Sequence, residues 1–192
     1  MKKIRFDDCI CCSNIPNHNE LKDELLSLIA EGYSETMDDP SSNDRISKLD
    51  FGNSKDRTRP WVKKFLQNWN GSLRECVESM GYIGVDLYDC WFQQYKEGDT
   101  HGWHIHGGHF TGVYYLEFPS NSARTEIYSP YNGSIEKVNI EEGDFILFPA
   151  HWIHRALPNN KKRKTIISFN FDLEMVDPDI NLIKGGKPYI LF

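Results

Sequence analysis

Residues 95–116 read YKEGDTHGWHIHGGHFTGVYYL, and this stretch holds four of the seven histidines of the chain. In an extended strand the side chains at positions i and i+2 share a face, so His104 and His106 would point into one cavity while Ile105 points away from it. Residues 112–116 are rich in the aromatic and branched side chains that strands favour. The stretch therefore predicts a pair of histidines on one strand and a further strand soon after it.

Short runs with strand-like composition continue on both sides of this stretch. They lie at residues 84–95, 112–118, 125–129, 134–140, 144–148 and 164–173. Asn132-Gly133 predicts a tight hairpin turn between two of the runs, and Glu142-Gly143-Asp144 predicts another turn. Because no helical crossover separates these strands, we expect a mainly β protein with an antiparallel barrel or double-sheet jelly roll rather than a parallel α/β fold.

Two supporting helices are predicted ahead of these strands. Apolar residues recur at helical spacing over residues 21–29, where Asn19 is a candidate N-cap, and again over residues 60–80. Gly71 is expected to bend or split the second helix. Residues 33–59 show little apolar periodicity and are interpreted as a long surface excursion, either a flap over a site or a poorly ordered insertion.

The overall composition fits one globular domain spanning residues 1–192, because 39% hydrophobic residues supply one sizeable core but few would remain for a second. Within it we expect helical support at about 18–81, a β core at about 84–173 and a C-terminal tail at 174–192. The net charge of -6 disfavours a general nucleic-acid-binding surface. No apolar segment approaches the roughly 20 residues that cross a bilayer, so no membrane association and a cytoplasmic location are expected.

The five cysteines are an odd number, which fits a reducing compartment better than a set of disulfides. Cys9 and Cys12 have C-x-x-C spacing, but no second cysteine pair follows them. A structural zinc site would therefore lack half of its ligands.

His154 is the candidate for a third metal ligand. It follows a predicted strand at residues 144–149, which could return beside the pair at His104 and His106. Three imidazoles on one side of a metal ion leave other coordination positions open. An H-x-H pair alone also fits polar loop histidines, so the prediction depends on the distant histidine. His101 and His109 flank the site as lesser candidates, and His151 is expected at its rim.

Five segments in this order resemble those of the 2-oxoglutarate- and Fe(II)-dependent oxygenases, in particular a bacterial and phage branch of that superfamily. The resemblance spans roughly residues 84–173. Each segment is weak alone, but five in the right order are a specific signal. They are Tyr95-x-x-Gly98 with His104-x-His106, Thr111 to Leu116, Gly143 to Pro149, His154 to Asn159, and Ile167 to Phe171.

This resemblance implies a double-stranded β-helix, a cupin-like jelly roll, that holds one Fe(II) through His104, His106 and His154. It also implies that 2-oxoglutarate chelates the metal, and that O2 converts it to succinate and carbon dioxide while a small-molecule or protein substrate is hydroxylated. Most of the superfamily has an H-x-D or H-x-E pair, so His106 is a departure that leaves the metal more positive. Asp99, the nearest carboxylate, is placed to form a turn.

The resemblance further implies a cation for the distal carboxylate of 2-oxoglutarate, about ten residues after the last histidine ligand. Arg163 lies nine residues after His154, and Lys164 lies ten. Strand alternation favours Lys164 if Ser168 faces inward, whereas the planar guanidinium group of Arg163 is better suited to grip a carboxylate. Both residues remain candidates, and Ser168 is assigned to the pocket.

Two tyrosine assignments complete the predicted pocket. Tyr95, by its position in the motif, is expected to donate its hydroxyl to the same carboxylate. Either Tyr114 or Tyr115 should line the pocket while the other packs in the core, and Tyr114 is the residue assigned to the pocket.

Two other functions also fit the sequence. A three-histidine site can hold zinc and activate water, which would make the protein a metal-dependent hydrolase, although no obvious glutamate general base lies near the histidines. Jelly-roll domains also serve as binding modules without catalysis.

Overall fold

The computed structural model describes residues 10–129 and 132–177. These residues form helices α1 (His18–Glu31) and α2 (Pro60–Ser79), a short 3-10 helix (Phe51–Asn53) and eleven strands. The strands are β1 (Cys11–Asn14), β2 (Glu35–Asp39), β3 (Asp44–Leu49), β4 (Tyr82–Tyr95), β5 (His101–His104), β6 (Phe110–Glu117), β7 (Thr125–Tyr128), β8 (Ile135–Lys137), β9 (Asp144–Pro149), β10 (His154–Ala156) and β11 (Lys164–Val176).

The strands of the described chain form two antiparallel sheets. The major sheet has the order β1-β9-β6-β11-β4-β3-β2, and the minor sheet has the order β5-β10-β7-β8. Every pair of neighbouring strands is antiparallel. The predicted antiparallel jelly roll is therefore confirmed, because two stacked antiparallel sheets are its defining arrangement.

Two apolar cores lie on opposite faces of the major sheet. One core fills the space between the major sheet and the two helices, and it includes Trp69, Tyr114 and Phe169. The other lies between the two sheets, where Tyr115 of the major sheet packs in the same cluster as Ile127 of the minor sheet. Strand alternation produces this division, because successive side chains of one strand point to opposite faces.

Both predicted helices are present and cover one face of the major sheet. Helix α1 begins one residue after Asn17, so the predicted cap at Asn19 is wrong by two residues. Pro60 is the first residue of α2, where its missing N–H costs no hydrogen bond. Gly71 neither splits nor ends α2, which continues to Ser79. The buried apolar face of α2 compensates for the low helix propensity of this one glycine.

The interpretation of residues 33–59 as a long excursion is wrong. Strands β2 and β3 form a hairpin in this segment and extend the major sheet through the pairing of Leu49 with Gln93. The segment is then anchored by Asp50, which is fully buried and accepts hydrogen bonds from the backbone of Phe92 at 2.9 Å and from Trp61 Nε1 at 3.1 Å. Arg59 pairs with the same carboxylate. Short polar edge strands carry little apolar alternation, so the sequence pattern did not reveal them.

The predicted hairpin between the middle strands is confirmed, since β7 pairs with β8 and Gly133 adopts a φ of 71° in the connection. Cys9 and residues 178–192 of the predicted tail lie outside the described residues. No helix within the described ranges is long and apolar enough to cross a membrane.

Candidate metal centre

Three histidines meet at the edge between the two sheets. His154 at the start of β10 is the registered partner of His104 at the end of β5. His106 lies two residues beyond β5, and its backbone N–H donates to the carbonyl of Ala150 at 2.9 Å. One ring nitrogen of each of the three histidines lies within 4.8 Å of those of the other two. The structure therefore brings together all three residues predicted as metal ligands, although His106 is held by a loop and not by an extended strand.

Two of these rings have a fixed orientation. Nδ1 of His104 lies 2.7 Å from the carbonyl oxygen of Gly102, and Nδ1 of His154 lies 2.8 Å from that of Trp152. A carbonyl oxygen only accepts, so each Nδ1 carries the hydrogen and each Nε2 keeps a free lone pair. Histidines that bind metals typically donate their other ring nitrogen in this way. The donor set thus fits a borderline metal ion such as Fe(II) or Zn(II).

Burial keeps the three imidazoles uncharged. It lowers the pKa of His106 to about 4, with a further contribution from the neighbouring His104. The pKa values of His104 and His154 are also lowered, mainly because burial disfavours their charged forms. A metal ion needs the unprotonated ring, so near neutral pH no proton has to leave before one binds.

His101, a lesser candidate in the sequence, is a fourth imidazole at the site. Its ring stacks on His104 with centroids 3.7 Å apart and planes 18° apart, and it lines the cavity beside the histidine cluster. A register shift between the pairs at His154 and Ala156 allows His101 and His104 to face the same side although they are three residues apart. Strand alternation alone could not predict this.

A cavity between the sheets opens at the histidine cluster. Tyr95 and Ser168, which the sequence assigned to the cosubstrate pocket, line this cavity. Gln93 also lines it and was not predicted. The hydroxyls of Tyr95 and Ser168 lie 3.2 and 3.4 Å from Oε1 of Gln93. Gln93 lies two residues before Tyr95 on β4, so the same alternation that places Tyr95 inward could have identified it.

Lys164 lies on the same face of β11 as Ile166 and Ser168, which line the cavity. Its side chain is 2% exposed, and its Nζ lies 4.2 Å from the centre of the Tyr95 ring and donates to the carbonyl of Ala123 at 3.1 Å. Burial lowers the pKa of Lys164 to about 7. Among the described residues no carboxylate forms an ion pair with it. A buried cation without an anionic partner is costly, so this position favours a negatively charged ligand.

The structure does not bring Arg163 to the cavity. Its half-exposed guanidinium points outward and forms a two-pronged pair with Glu117, at 2.7 and 3.0 Å. Adjacent residues of a strand face opposite sides, so the inward position of Lys164 requires the outward position of Arg163. Strand parity therefore leaves Lys164, and not Arg163, on the inner face of the sheet.

The assignment of Tyr114 to the pocket is corrected by its position on β6. Val113 lines the cavity, so the next residue faces the helices. There the Tyr114 hydroxyl lies 2.6 Å from Nδ1 of His18, and its ring stacks on Phe65. Tyr115 is the tyrosine on the inner face, and its hydroxyl lies 2.7 Å from that of Thr125.

Asp99 has a structural role. It is 1% exposed, and its Oδ2 accepts hydrogen bonds from the backbone N–H groups of Lys96 at 2.8 Å and Ser47 at 3.0 Å. The carboxylate therefore holds the predicted turn and ties it to the β2–β3 hairpin. It does not replace the carboxylate that most superfamily members have at the position of His106.

Solved structures that are similar to this chain include two prolyl hydroxylases and a member of the 2OG-Fe(II) oxygenase family. A prolyl hydroxylase from Trichoplax adhaerens, in complex with a peptide of hypoxia inducible factor, is 18% identical with a TM-score of 0.62 over 85% of this chain and 83% of the other. A prolyl-4-hydroxylase from Pseudomonas putida is 16% identical, with a TM-score of 0.59 over 86% and 92%. An oxidoreductase of the 2OG-Fe(II) oxygenase family from Burkholderia pseudomallei is 11% identical, with a TM-score of 0.61 over 81% of each chain.

At these identities the comparison shows the fold, which is the double-stranded β-helix of this oxygenase class. The fold expected from the resemblance is therefore confirmed. No protein-family model matches the sequence, and a search of curated proteins finds no match.

Proposed function

We propose that this protein is a 2-oxoglutarate- and Fe(II)-dependent oxygenase that hydroxylates a substrate with O2. The observation that carries the proposal is the convergence of His104, His106 and His154 beside a cavity, with the buried Lys164 against the ring of Tyr95, which lines that cavity. One feature suits a divalent metal and the other suits an anion. A cofactor pair made of Fe(II) and a dicarboxylate requires both features close to each other.

In this proposal the three histidines hold the iron through one nitrogen each. Bound Fe(II) would supply the oxygen-dependent redox chemistry that amino-acid side chains lack. The carbonyls of Gly102 and Trp152 fix the rings of His104 and His154, so two of the ligands are oriented before the metal binds. Such preorganisation lowers the cost of binding.

Lys164 is proposed to bind the distal carboxylate of 2-oxoglutarate. A carboxylate beside the ammonium group favours its charged form, so binding would raise the pKa of Lys164 from its lowered value. Tyr95, Gln93 and Ser168 line the same cavity and offer hydrogen bonds to the cosubstrate. The pKa of Tyr95 is raised by burial, so its hydroxyl keeps its proton and acts as a donor.

A three-histidine zinc hydrolase remains the main alternative enzyme. Activation of a metal-bound water usually needs a nearby general base. The residues that line this cavity include no aspartate or glutamate. This composition favours the oxygenase over the hydrolase.

The proposal is tested by anaerobic addition of Fe(II) and 2-oxoglutarate to the purified protein. We expect a visible metal-to-ligand charge-transfer band, followed by succinate when oxygen is admitted. His104→Ala and His154→Ala should each weaken iron binding by more than ~100-fold, because removal of a direct ligand costs more than the loss of an outer partner.

His151→Ala is the matched control, since this exposed histidine lies three residues from His154 and outside the cluster. It should retain the band. Absence of both the band and succinate in the unaltered protein would contradict the proposal. Stoichiometric iron in the His104 and His154 variants would show that the ligands were wrongly chosen.

A further inference from the structure

Three carboxylates lie along one edge of the site, and we refer to Asp86, Asp89 and Asp172 as the acidic groove. Asp89 lies two residues before Trp91 on β4, so the two side chains share the inner face of the sheet. The Trp91 ring lies 5.6 Å from that of His106, measured between centroids. The acidic groove therefore begins next to Trp91, whose ring neighbours the histidine cluster.

The outer part of the acidic groove contains a pair of like charges. Asp86 on β4 and Asp172 on β11 are registered cross-strand partners. Like charges placed opposite each other destabilise a sheet. Asp172 accepts the backbone N–H of His109 at 2.8 Å, and Asp86 has a 3.5 Å contact with Arg57, where both side chains are about half exposed. Arg57 is the only lysine or arginine within the described residues that pairs with the groove.

The inner part of the acidic groove contains an unsatisfied acceptor. Asn170 is the registered partner of Asp89, and its side-chain NH2 lies 3.4 Å from Oδ2 of that carboxylate. Asn170 is 5% exposed, and its Oδ1 has no hydrogen-bond partner among the residues that the structure describes. Buried acceptors are rarely left without a donor. The carboxylate of Asp89 and the amide oxygen of Asn170 are neighbouring acceptors. This position therefore suits a ligand that donates several N–H groups.

An aromatic wall borders the acidic groove on its other side. Phe51 is 46% exposed, although it packs edge-on against the buried Trp91 with ring centroids 5.2 Å apart. Ser54, from the same segment, donates to Oδ1 of Asp89 at 2.9 Å. An aliphatic chain could lie along Phe51 while its polar end reaches Asp89. Aromatic faces also attract cations directly.

We propose that the substrate carries an ammonium or guanidinium group on an aliphatic stem, which the acidic groove holds beside the metal centre. This inference rests on the proposed oxygenase function and adds the substrate class to it. Free basic amino acids and the lysine or arginine side chains of a peptide present the same chemistry. In both cases the cationic group would donate a hydrogen bond to Oδ1 of Asn170. It would also reduce the repulsion between the carboxylates of Asp86 and Asp172.

Calorimetric titration of the anaerobic complex with Fe(II) and 2-oxoglutarate tests this inference. The probes are L-arginine against its neutral isostere L-citrulline, and L-lysine against L-norleucine. Capped Gly-Arg-Gly and Gly-Cit-Gly peptides, where Cit is citrulline, form a second pair. We expect each cationic probe to bind at least ~10-fold tighter than its neutral partner, because charged hydrogen bonds are the stronger class. Tighter binding of the peptide than of the free amino acid would identify a protein substrate, and the reverse order a small molecule.

Asp89→Asn and Asp172→Asn should each remove most of this preference while leaving the charge-transfer band of bound iron unchanged. Asp23→Asn, which removes an exposed carboxylate from α1, is the control and should bind the cationic probes normally.

Equal binding of cationic and neutral probes, with the band intact, would overturn the substrate class and leave the oxygenase standing. A missing band in the unaltered protein would overturn the oxygenase and the inference that rests on it. Loss of the band in Asp89→Asn alone would assign that carboxylate to the metal, and the inference would also fall.

Discussion

The two faces of the major sheet are built from the same strands but have different chemistry. On β11 the residues toward the helices are Ile167, Phe169 and Phe171, which are fully buried and apolar. The residues toward the minor sheet include Lys164 and Ser168, which are equally buried and polar. Polar groups are expensive to bury, so a face that collects them has another purpose. The face toward the helices supplies an apolar core alone, whereas the face toward the minor sheet combines a second apolar core with the site.

β6 shows the same division within two adjacent tyrosines. Tyr114 contributes its ring to the aromatic core against α2, whereas Tyr115 bonds with Thr125 in the space between the sheets. Both side chains are almost completely buried. Burial alone therefore does not distinguish a packing residue from one near the site; the face of the strand does.

The largest expected effect is a difference in the free energy of unfolding between variants of two neighbouring β11 residues, whose side chains point to opposite faces of the sheet. Phe169→Ala removes a ring whose centroid lies 4.2 Å from that of the Trp69 ring. The change should lower the free energy of unfolding by about 3–5 kcal/mol. Ser168→Ala should change it by less than ~1.5 kcal/mol, because only one weak hydrogen bond is lost, but should weaken 2-oxoglutarate binding. Urea unfolding and 2-oxoglutarate titration measure the two quantities. Equal loss of stability in both variants would contradict the division between the faces.

Lys164→Met and Arg163→Gln compare the inner and outer faces directly. Lys164→Met should weaken 2-oxoglutarate binding by ~10- to 100-fold, the value of a hydrogen bond between charged groups, without loss of stability. Arg163→Gln breaks a half-exposed pair with Glu117 and should cost less than ~1 kcal/mol, with normal 2-oxoglutarate affinity. The reverse pattern of affinities would assign the cosubstrate to Arg163.

The pH dependence of stability sharpens the same comparison. Lys164 has a pKa of about 7 in the folded protein against 10.5 for an ordinary lysine, so between these values the unfolded chain binds more protons. The contribution of Lys164 to the free energy of unfolding should therefore rise with pH across this window. Measured by urea unfolding without 2-oxoglutarate, the difference between Lys164→Met and the unaltered protein should shrink from pH 7 to pH 9.5. A constant difference would mean that Lys164 is not buried as a cation.

The smallest effect is expected from two matched hydroxyl deletions. Tyr95→Phe removes a bond to Gln93, and Tyr114→Phe removes a bond to His18. Each should lower the free energy of unfolding by about 0.5–1.5 kcal/mol. Only Tyr95→Phe should weaken 2-oxoglutarate binding, by several-fold. An equal effect of Tyr114→Phe on the affinity for 2-oxoglutarate would contradict a cosubstrate site beside Tyr95.

The strands that could be predicted from the sequence are those with enough apolar residues to form a recognisable strand pattern. β6 and β11 are buried on both faces and therefore appear as nearly continuous apolar runs. β2 is a polar strand at the edge of the major sheet, β3 lies next to it, and β5 and β10 are only four and three residues long. Such strands depend on pairing with distant residues, which no local pattern records.

The site was predictable to the extent that spacing and strand parity determine it. The meeting of His104, His106 and His154 followed from the predicted return of the strand before His154, and parity favoured Lys164. Tyr114 was misplaced because β6 carries bulky apolar residues on both faces, so its sequence does not indicate which face turns toward the cavity. His101 depends on a register shift, which composition does not reveal.

The most direct test of the two-face account is a crystal structure grown anaerobically with Fe(II) and 2-oxoglutarate. The account predicts one iron bound by nitrogens of His104, His106 and His154, with the distal carboxylate within hydrogen-bonding distance of Lys164 Nζ. An iron bound elsewhere, or a cosubstrate carboxylate held by Arg163 on the outer face, would contradict it.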